Sequence, residues 1–363
     1  MEPLPSILAP ISLAESPTLI DLEPVHNCNL RCRSCHVPQE ELTKVALPIE
    51  AIAKLGVRDG AHCKVGTTHE PTTHPEFPTL LNVLGELGYQ VSLTTNGTLL
   101  TDRMLDGIAD YSVFKSVNLS FDAATPDLYE YLRVGAKFQP TLERIKAFIA
   151  RLDRSRTAIH ANYTMLRANL CDINAAVDMW DDIGVDGLVL MVSSDRQNNT
   201  FLHDQMLASD PESFYQATES AAQHLIDSQR RIQLSGSLMM TPRFAERFGH
   251  LYHNRIMYSA LPDPLPPVTP ADPHPGRCAA PMTEVRIRWN GHVYLCNNHF
   301  LVGNLLEQTL EEIWTGPRAK FTRDLVAANG DHCLHCNYFH YCLSSRTDLD
   351  LSAAQTTMLK EQA

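Results

Sequence analysis

Between residues 18 and 194 the chain alternates short apolar runs with stretches of helical periodicity, and this alternation leaves few folds open. Six runs read as strands, at 18–24, 62–67, 90–95, 114–121, 158–165 and 187–192. Between them, Leu142, Ile145, Phe148, Ile149 and Leu152 share one face of a helix over 140–153, and a second helix is read over 172–183. Parallel strands need crossovers of this kind. The pattern predicts an α/β fold: a partial parallel (β/α)6 TIM-like barrel, with an open doubly wound sheet as the alternative.

Residues 204–261 read as mainly helical, with one possible strand at 231–234. The stretch 261–276 has a proline at nearly every second position, which excludes helix and central strand and reads as a linker. The expected organisation is an extension at 1–17, a barrel at 18–235, a helical and proline-rich connection at 236–277, a small α+β domain at 278–346 and a tail at 347–363.

Net charge is −12, with no long Lys/Arg run, which argues against a nucleic-acid partner. No apolar run reaches the ~20 residues of a membrane helix, and the N-terminus lacks a basic signal-peptide region. A cytoplasmic location, without membrane partners, is the expectation. In that reducing setting ten cysteines point to metal ligation rather than disulfides.

The cysteines cluster. Cys28, Cys32 and Cys35 follow the first predicted strand, and Cys278, Cys296, Cys333, Cys336 and Cys342 crowd the C-terminal part. Three thiolates can hold three irons of a [4Fe–4S] cluster and leave the fourth open. A zinc knuckle, with His36 as fourth ligand, or a redox thiol site is the alternative.

The spacing Cys28-x3-Cys32-x2-Cys35 directly after a strand resembles the radical S-adenosylmethionine (SAM) superfamily. The resemblance implies that the open iron chelates SAM. It also implies one-electron reduction by an external donor such as flavodoxin or ferredoxin, release of a 5′-deoxyadenosyl radical, and hydrogen abstraction from an unactivated C–H bond. In the motif after strand two, Thr68, His69, Glu70 and Pro71 stand where the family has Gly-Gly-Glu-Pro, and Glu70 matches the acceptor of the SAM ammonium. Asn96 belongs to the Thr-Asn-Gly after strand three. Ser120 matches a ribose contact, and Asp122 a substrate-side or loop-supporting residue. Arg133 matches a residue near the SAM carboxylate, and Asn169 a frequent asparagine after strand five. The aromatic that commonly precedes the third cysteine is Ser34 here. Cys171 is a candidate hydrogen donor to a substrate radical; Cys63 reads as a buried structural thiol.

Residues 284–288 and 292–295, joined by Asn290-Gly291, read as a β-hairpin. With the five C-terminal cysteines, Gly-Asn-Leu at 303–305 and Ile-Trp at 313–314, this segment resembles the SPASM/twitch extension that binds auxiliary [4Fe–4S] clusters. The full form has seven cysteines, and here Arg346 stands where a sixth is expected. Five cannot fill two clusters, so the resemblance implies one auxiliary cluster. Cys278, Cys296, Cys333 and Cys336 are its first-choice ligands, with Cys342 as a substitute. A zinc ribbon is the alternative.

Only 27 residues precede Cys28, too few for an N-terminal peptide-recognition domain. The expected substrate is therefore a small molecule, a sugar, aminocyclitol or nucleotide-linked compound, oxidised or epimerised. A maturase acting on a short ribosomal peptide is the second expectation. A zinc-binding interaction protein and an electron-transfer ferredoxin are the readings from other classes.

Overall fold

The computed structural model describes residues 14–193, 199–251, 280–295 and 300–327. Ten strands form one sheet: β1 (Leu19–Leu22), β2 (His62–Val65), β3 (Gln90–Thr95), β4 (Phe114–Ser120), β5 (Ala158–Met165), β6 (Gly187–Val192), β7 (Gln233–Gly236), β8 (Glu284–Ile287), β9 (His292–Leu295) and β10 (Phe300–Asn304). The spatial order is β10-β9-β8-β1-β2-β3-β4-β5-β6-β7. From β1 to β7 all pairings are parallel and the order never reverses. A doubly wound sheet reverses at a switch point, so this is the partial barrel. The suggested strand at 231–234 is realised two residues later, as the seventh strand.

Burial alternates along the strands, and this defines the barrel wall. In β5, Ile159, Ala161, Tyr163 and Met165 are fully buried, while His160, Asn162 and Thr164 are only partly covered. The same parity continues into Ser92 of β3 and Ser116 of β4, whose hydroxyls meet at 2.6 Å. One face thus packs in the apolar core, and the other presents a polar lumen. Helices Phe77–Glu86, Phe138–Ile149, Ile173–Ile183 and Pro211–Asp227 bring apolar stripes to the core. The second starts two residues ahead of its expected position, because Glu130 Oε1 accepts from the Phe138 amide at 3.2 Å. Pro140 then falls in the first turn, where no helical hydrogen bond is lost. Phe121 stacks on Tyr129 at 4.1 Å and meets Trp180 edge-on at 5.3 Å, filling the core below the fourth loop.

The C-terminal strands extend the same sheet. β8 pairs in parallel with β1, Leu19 opposite Glu284, and Arg286 forms an ion pair with Asp21 across the seam. β8 and β9 form the expected hairpin. Gly291 in its turn has φ +79°, and a Cβ there would sit 2.2 Å from Asn304 Oδ1, so only glycine fits. Helix Leu310–Thr315 follows, closed at its start by a reciprocal Thr309–Glu312 capping box. Lys54 binds this unit to the barrel twice: Nζ donates to the Leu306 carbonyl at 2.5 Å, and its own carbonyl accepts from the Leu310 amide at 3.0 Å. No helix among the described residues is long and apolar enough to cross a membrane. The proline-rich stretch and the five C-terminal cysteines lie outside the described residues.

Candidate active site

The loop after β1 carries Cys28, Cys32 and Cys35 to the C-terminal ends of the parallel strands. Two arginines shape it. Arg31 Nη1 donates to the carbonyls of Cys28 and Leu30, each at 3.0 Å. Arg33 Nε donates to the Tyr131 carbonyl at 2.8 Å, and its guanidinium lies over the Tyr131 ring. The amides of Arg31 and Arg33 bond the carbonyls of Val134 and Leu132, so the loop lies against the segment leading to Arg133. All three thiols are half-buried and free of disulfides. Burial pushes Cys28 up to about 11 and Cys32 up to about 12, with the Arg133 charge acting against the latter shift. Such thiols are protonated at neutral pH until a metal displaces the proton.

Facing them, Glu70 is buried at the end of the β2 loop. Its Oε1 accepts from the Thr72 amide at 3.2 Å, Thr72 Oγ1 at 2.5 Å and Thr95 Oγ1 at 2.7 Å. Oε2 accepts from the Asn96 amide at 2.7 Å and keeps a second acceptor position. Burial raises the carboxyl's pKa, and these hydrogen bonds oppose the shift. Gly66 opens this loop with φ +81°, and a Cβ there would meet Pro71 Cγ at 2.4 Å. One glycine therefore persists where the expected pair is replaced, four residues ahead of Glu70.

Asn96 Nδ2 donates to Asn29 Oδ1 at 3.1 Å, and Asn29 donates to Thr98 Oγ1 at 2.7 Å, which ties the third loop to the cysteine loop. Asp122 is buried and meets Arg133 Nη2 at 2.8 Å. The neighbouring Arg133 Nε is buried without a hydrogen-bond partner. Ser120 lies at the end of β4. Cys28, Cys32, Cys35, Glu70, Asn96, Ser120, Asp122 and Arg133 all line one cavity of 440 Å³. The range for small-molecule sites is about 300–1,000 Å³. Ser34 lines it too, in place of an aromatic, and Met191, Val192 and Leu202 add apolar wall.

Two expected contacts are not in this lining. Asn169 is fully buried, and its amide is committed to the backbone: Nδ2 donates to the carbonyls of Asp122 and Thr164, both at 2.9 Å, and Oδ1 accepts from the Leu166 amide at 2.7 Å. It props the loop that carries Asp122. Cys171 is exposed on the 3-10 segment Arg167–Asp172. Cys63 is fully buried in β2.

Asn199 escaped sequence reasoning. It lines the cavity and donates from Nδ2 to the Arg33 carbonyl at 2.8 Å and the Cys35 carbonyl at 3.3 Å. Its only mark in the sequence is as an N-cap residue. The donor set fits an iron–sulfur cluster with one open iron: three half-buried thiols, an acceptor on Glu70 Oε2, and the unpartnered donor Arg133 Nε beside them.

Comparison with known proteins agrees with this geometry. Residues 22–227 match the model of the radical SAM superfamily, and residues 278–337 match the SPASM iron–sulfur cluster-binding domain. A tungsten-containing aldehyde ferredoxin oxidoreductase cofactor-modifying protein of Pyrococcus furiosus is 25% identical over 91% of this chain and 90% of its own length. The AdoMet-dependent heme synthase of Methanosarcina barkeri is 26% identical over 48% of this chain and 50% of its own. Streptococcus suis SuiB, solved bound to S-adenosylmethionine, shares the fold with a TM-score of 0.61 at 18% identity, over 92% of this chain and 73% of its own. The chain thus belongs to the radical SAM superfamily, with a SPASM iron–sulfur domain following its barrel.

Proposed function

We propose that this protein abstracts hydrogen from an unactivated C–H bond of a small molecule and so oxidises or epimerises it. The observation that carries the reading is the convergence of three thiols, an acceptor carboxylate and a buried guanidinium on one cavity at the ends of parallel strands.

The cofactors of the family are SAM, the [4Fe–4S] cluster that binds it, and auxiliary iron–sulfur. When bound, they would supply one chemistry: one-electron reductive cleavage of SAM coupled to hydrogen abstraction from the substrate. The chain binds, orients and shields. Cys28, Cys32 and Cys35 would hold three irons. Glu70 Oε2 would accept from the SAM ammonium, and Arg133 Nε, held in place by Asp122, would donate to its carboxylate. Ser120 would be the ribose contact, and with Ser34 in place of an aromatic, Met191, Val192 and Leu202 would supply apolar wall for the adenine.

The polar side chains of the lumen suit a compact, oxygen- or nitrogen-rich substrate. The relative matched over nine-tenths of its length is named for modifying a cofactor, which favours the same class. A flavodoxin- or ferredoxin-type donor in a reducing cytoplasm supplies the electron.

Anaerobic reconstitution tests the reading. About eight irons per chain are expected, four per cluster. SAM and a strong reductant should yield 5′-deoxyadenosine even without substrate. Changing Cys28, Cys32 and Cys35 together to alanine should abolish that product; full turnover in this variant overturns the reading. Deuterium transfer into 5′-deoxyadenosine from labelled metabolite extracts, against none from short peptides, tests the substrate class.

A further inference from the structure

Three histidines and two glutamates gather beside the cysteine loop, and His36 and His69 also reach the wall of the active-site cavity. His69 Nε2 lies 3.2 Å from Glu40 Oε2, and His26 Nε2 lies 3.5 Å from the same oxygen. The ligand atoms of His26, Glu40 and His69 all fall within 4.8 Å of one another. His36 Nε2 reaches Glu40 Oε1 at 3.4 Å. We propose that His26, Glu40 and His69 form a second metal site, independent of the thiols, that takes one divalent first-row cation and clasps the base of the cluster loop.

The two histidine spacings to Glu40 Oε2 suit an ion. Bonds of ~2.0–2.2 Å in tetrahedral geometry put donor atoms roughly 3.3–3.6 Å apart. Two imidazoles and one carboxylate suit first-row divalent ions and leave positions for water or His36. The outer groups are also present. His69 is buried, and its Nδ1 has no hydrogen-bond partner, yet it faces Glu23 Oε2 at 3.6 Å. Glu23 is buried and anchored by Thr67 Oγ1 at 2.6 Å and the Thr68 amide at 2.5 Å. A carboxylate behind a ligating imidazole orients the ring and raises its basicity. His26 Nδ1 meets Thr43 Oγ1 at 2.9 Å, and donation there leaves Nε2 open for a metal. The Thr43 amide also reaches Nδ1, at 3.2 Å, and with that amide as the donor Nε2 carries the proton toward Glu40 instead. The ion and the proton are thus competing occupants.

The position gives the site its purpose. His26 precedes Cys28, Glu40 follows Cys35, and His69 comes from the next loop. The backbone already pinches here, with the His26 amide bonded to the Val45 carbonyl at 2.9 Å and the Lys44 amide to the His26 carbonyl at 3.0 Å. Trp289, at the tip of the C-terminal hairpin, stacks on His26 at 4.0 Å with planes 5° apart, and meets His69 edge-on. An ion would fix the cluster loop against both the barrel and the C-terminal unit.

Equilibrium dialysis tests this with the reconstituted holoenzyme, whose cluster-binding thiols are already committed to iron, in a Cys171→Ala background that removes the exposed free thiol. The enzyme is dialysed against cobalt(II), and cobalt, iron and protein are counted in the same sample. One cobalt per chain with unchanged iron is expected. Glu40→Gln, a near-isosteric change at a partly exposed site, should keep its iron and lose cobalt affinity at least ~10-fold; His69→Gln should do the same. No cobalt above the blank overturns the site, as does equal uptake by the Cys171→Ala parent and both variants, or cobalt gained only as iron is lost.

Discussion

Asp122 Oδ2 lies 2.8 Å from Arg133 Nη2, and both side chains are buried beside the cysteine loop. The pair joins the end of the fourth parallel strand to the segment on which that loop rests. Asp122 Oδ1 also accepts from the Thr164 amide at 2.8 Å. Removing one partner of a buried pair leaves a desolvated charge behind. Asp122→Ala should therefore destabilise the protein by about 3–5 kcal/mol, and adding Arg133→Leu should recover part of that loss. Chemical denaturation of the single and double variants measures it.

Glu70 accepts four hydrogen bonds from the protein, on both oxygens. Glutamine keeps the shape but must turn its NH2 toward one set of donors. Glu70→Gln should cost about 1–3 kcal/mol of stability and weaken SAM binding. Thermal melts and equilibrium dialysis with labelled SAM check the two effects separately.

His62 faces the lumen and contacts Ser92 Oγ at 2.6 Å. Burial, then Lys115 and Lys64, push its pKa down from 6.5 to about 4. The unfolded chain thus binds this proton more readily than the folded one. The stability tied to neutral His62 is complete above pH 6.5, and falls as pH drops from 6.5 toward 4. Urea midpoints measured across that window should decline less steeply for His62→Gln than for wild type.

Gly291 holds φ +79° where a Cβ would strike Asn304 Oδ1 and Leu306 Cγ. Gly291→Ala should destabilise the hairpin by about 1–3 kcal/mol. It should also lower iron uptake below eight per chain while SAM cleavage persists. Iron analysis beside a 5′-deoxyadenosine assay shows whether the two separate.

The strands at 90–95, 158–165 and 187–192 were legible to the residue, because apolar residues on the helix-facing side mark each one. The three thiols and Glu70 were legible through the motifs that resemble the family, and the loops after the first two strands bring them to one cavity. Sequence order says less about direction. Asn169 also follows a strand, yet its amide turns inward to the carbonyls of Asp122 and Thr164. Cys171, two residues on, turns outward to solvent. The grouping of His26, Glu40 and His69 left no mark in the sequence, since loops from two strands must fold back to create it. Nor does periodicity show which edge a hairpin will join, so the parallel pairing of β8 with β1 emerged only in three dimensions.

That pairing bears on how the chain is made. Leu19 finds its neighbour at Glu284, so the first strand leaves the ribosome long before its second flank exists. Until then one margin of the nascent barrel carries unmet amides and carbonyls, an invitation to pair with other chains. Contacts between such distant residues also slow folding. The C-terminal unit is therefore a late-arriving cover for the barrel's starting edge, and chains ended before it should be prone to aggregate.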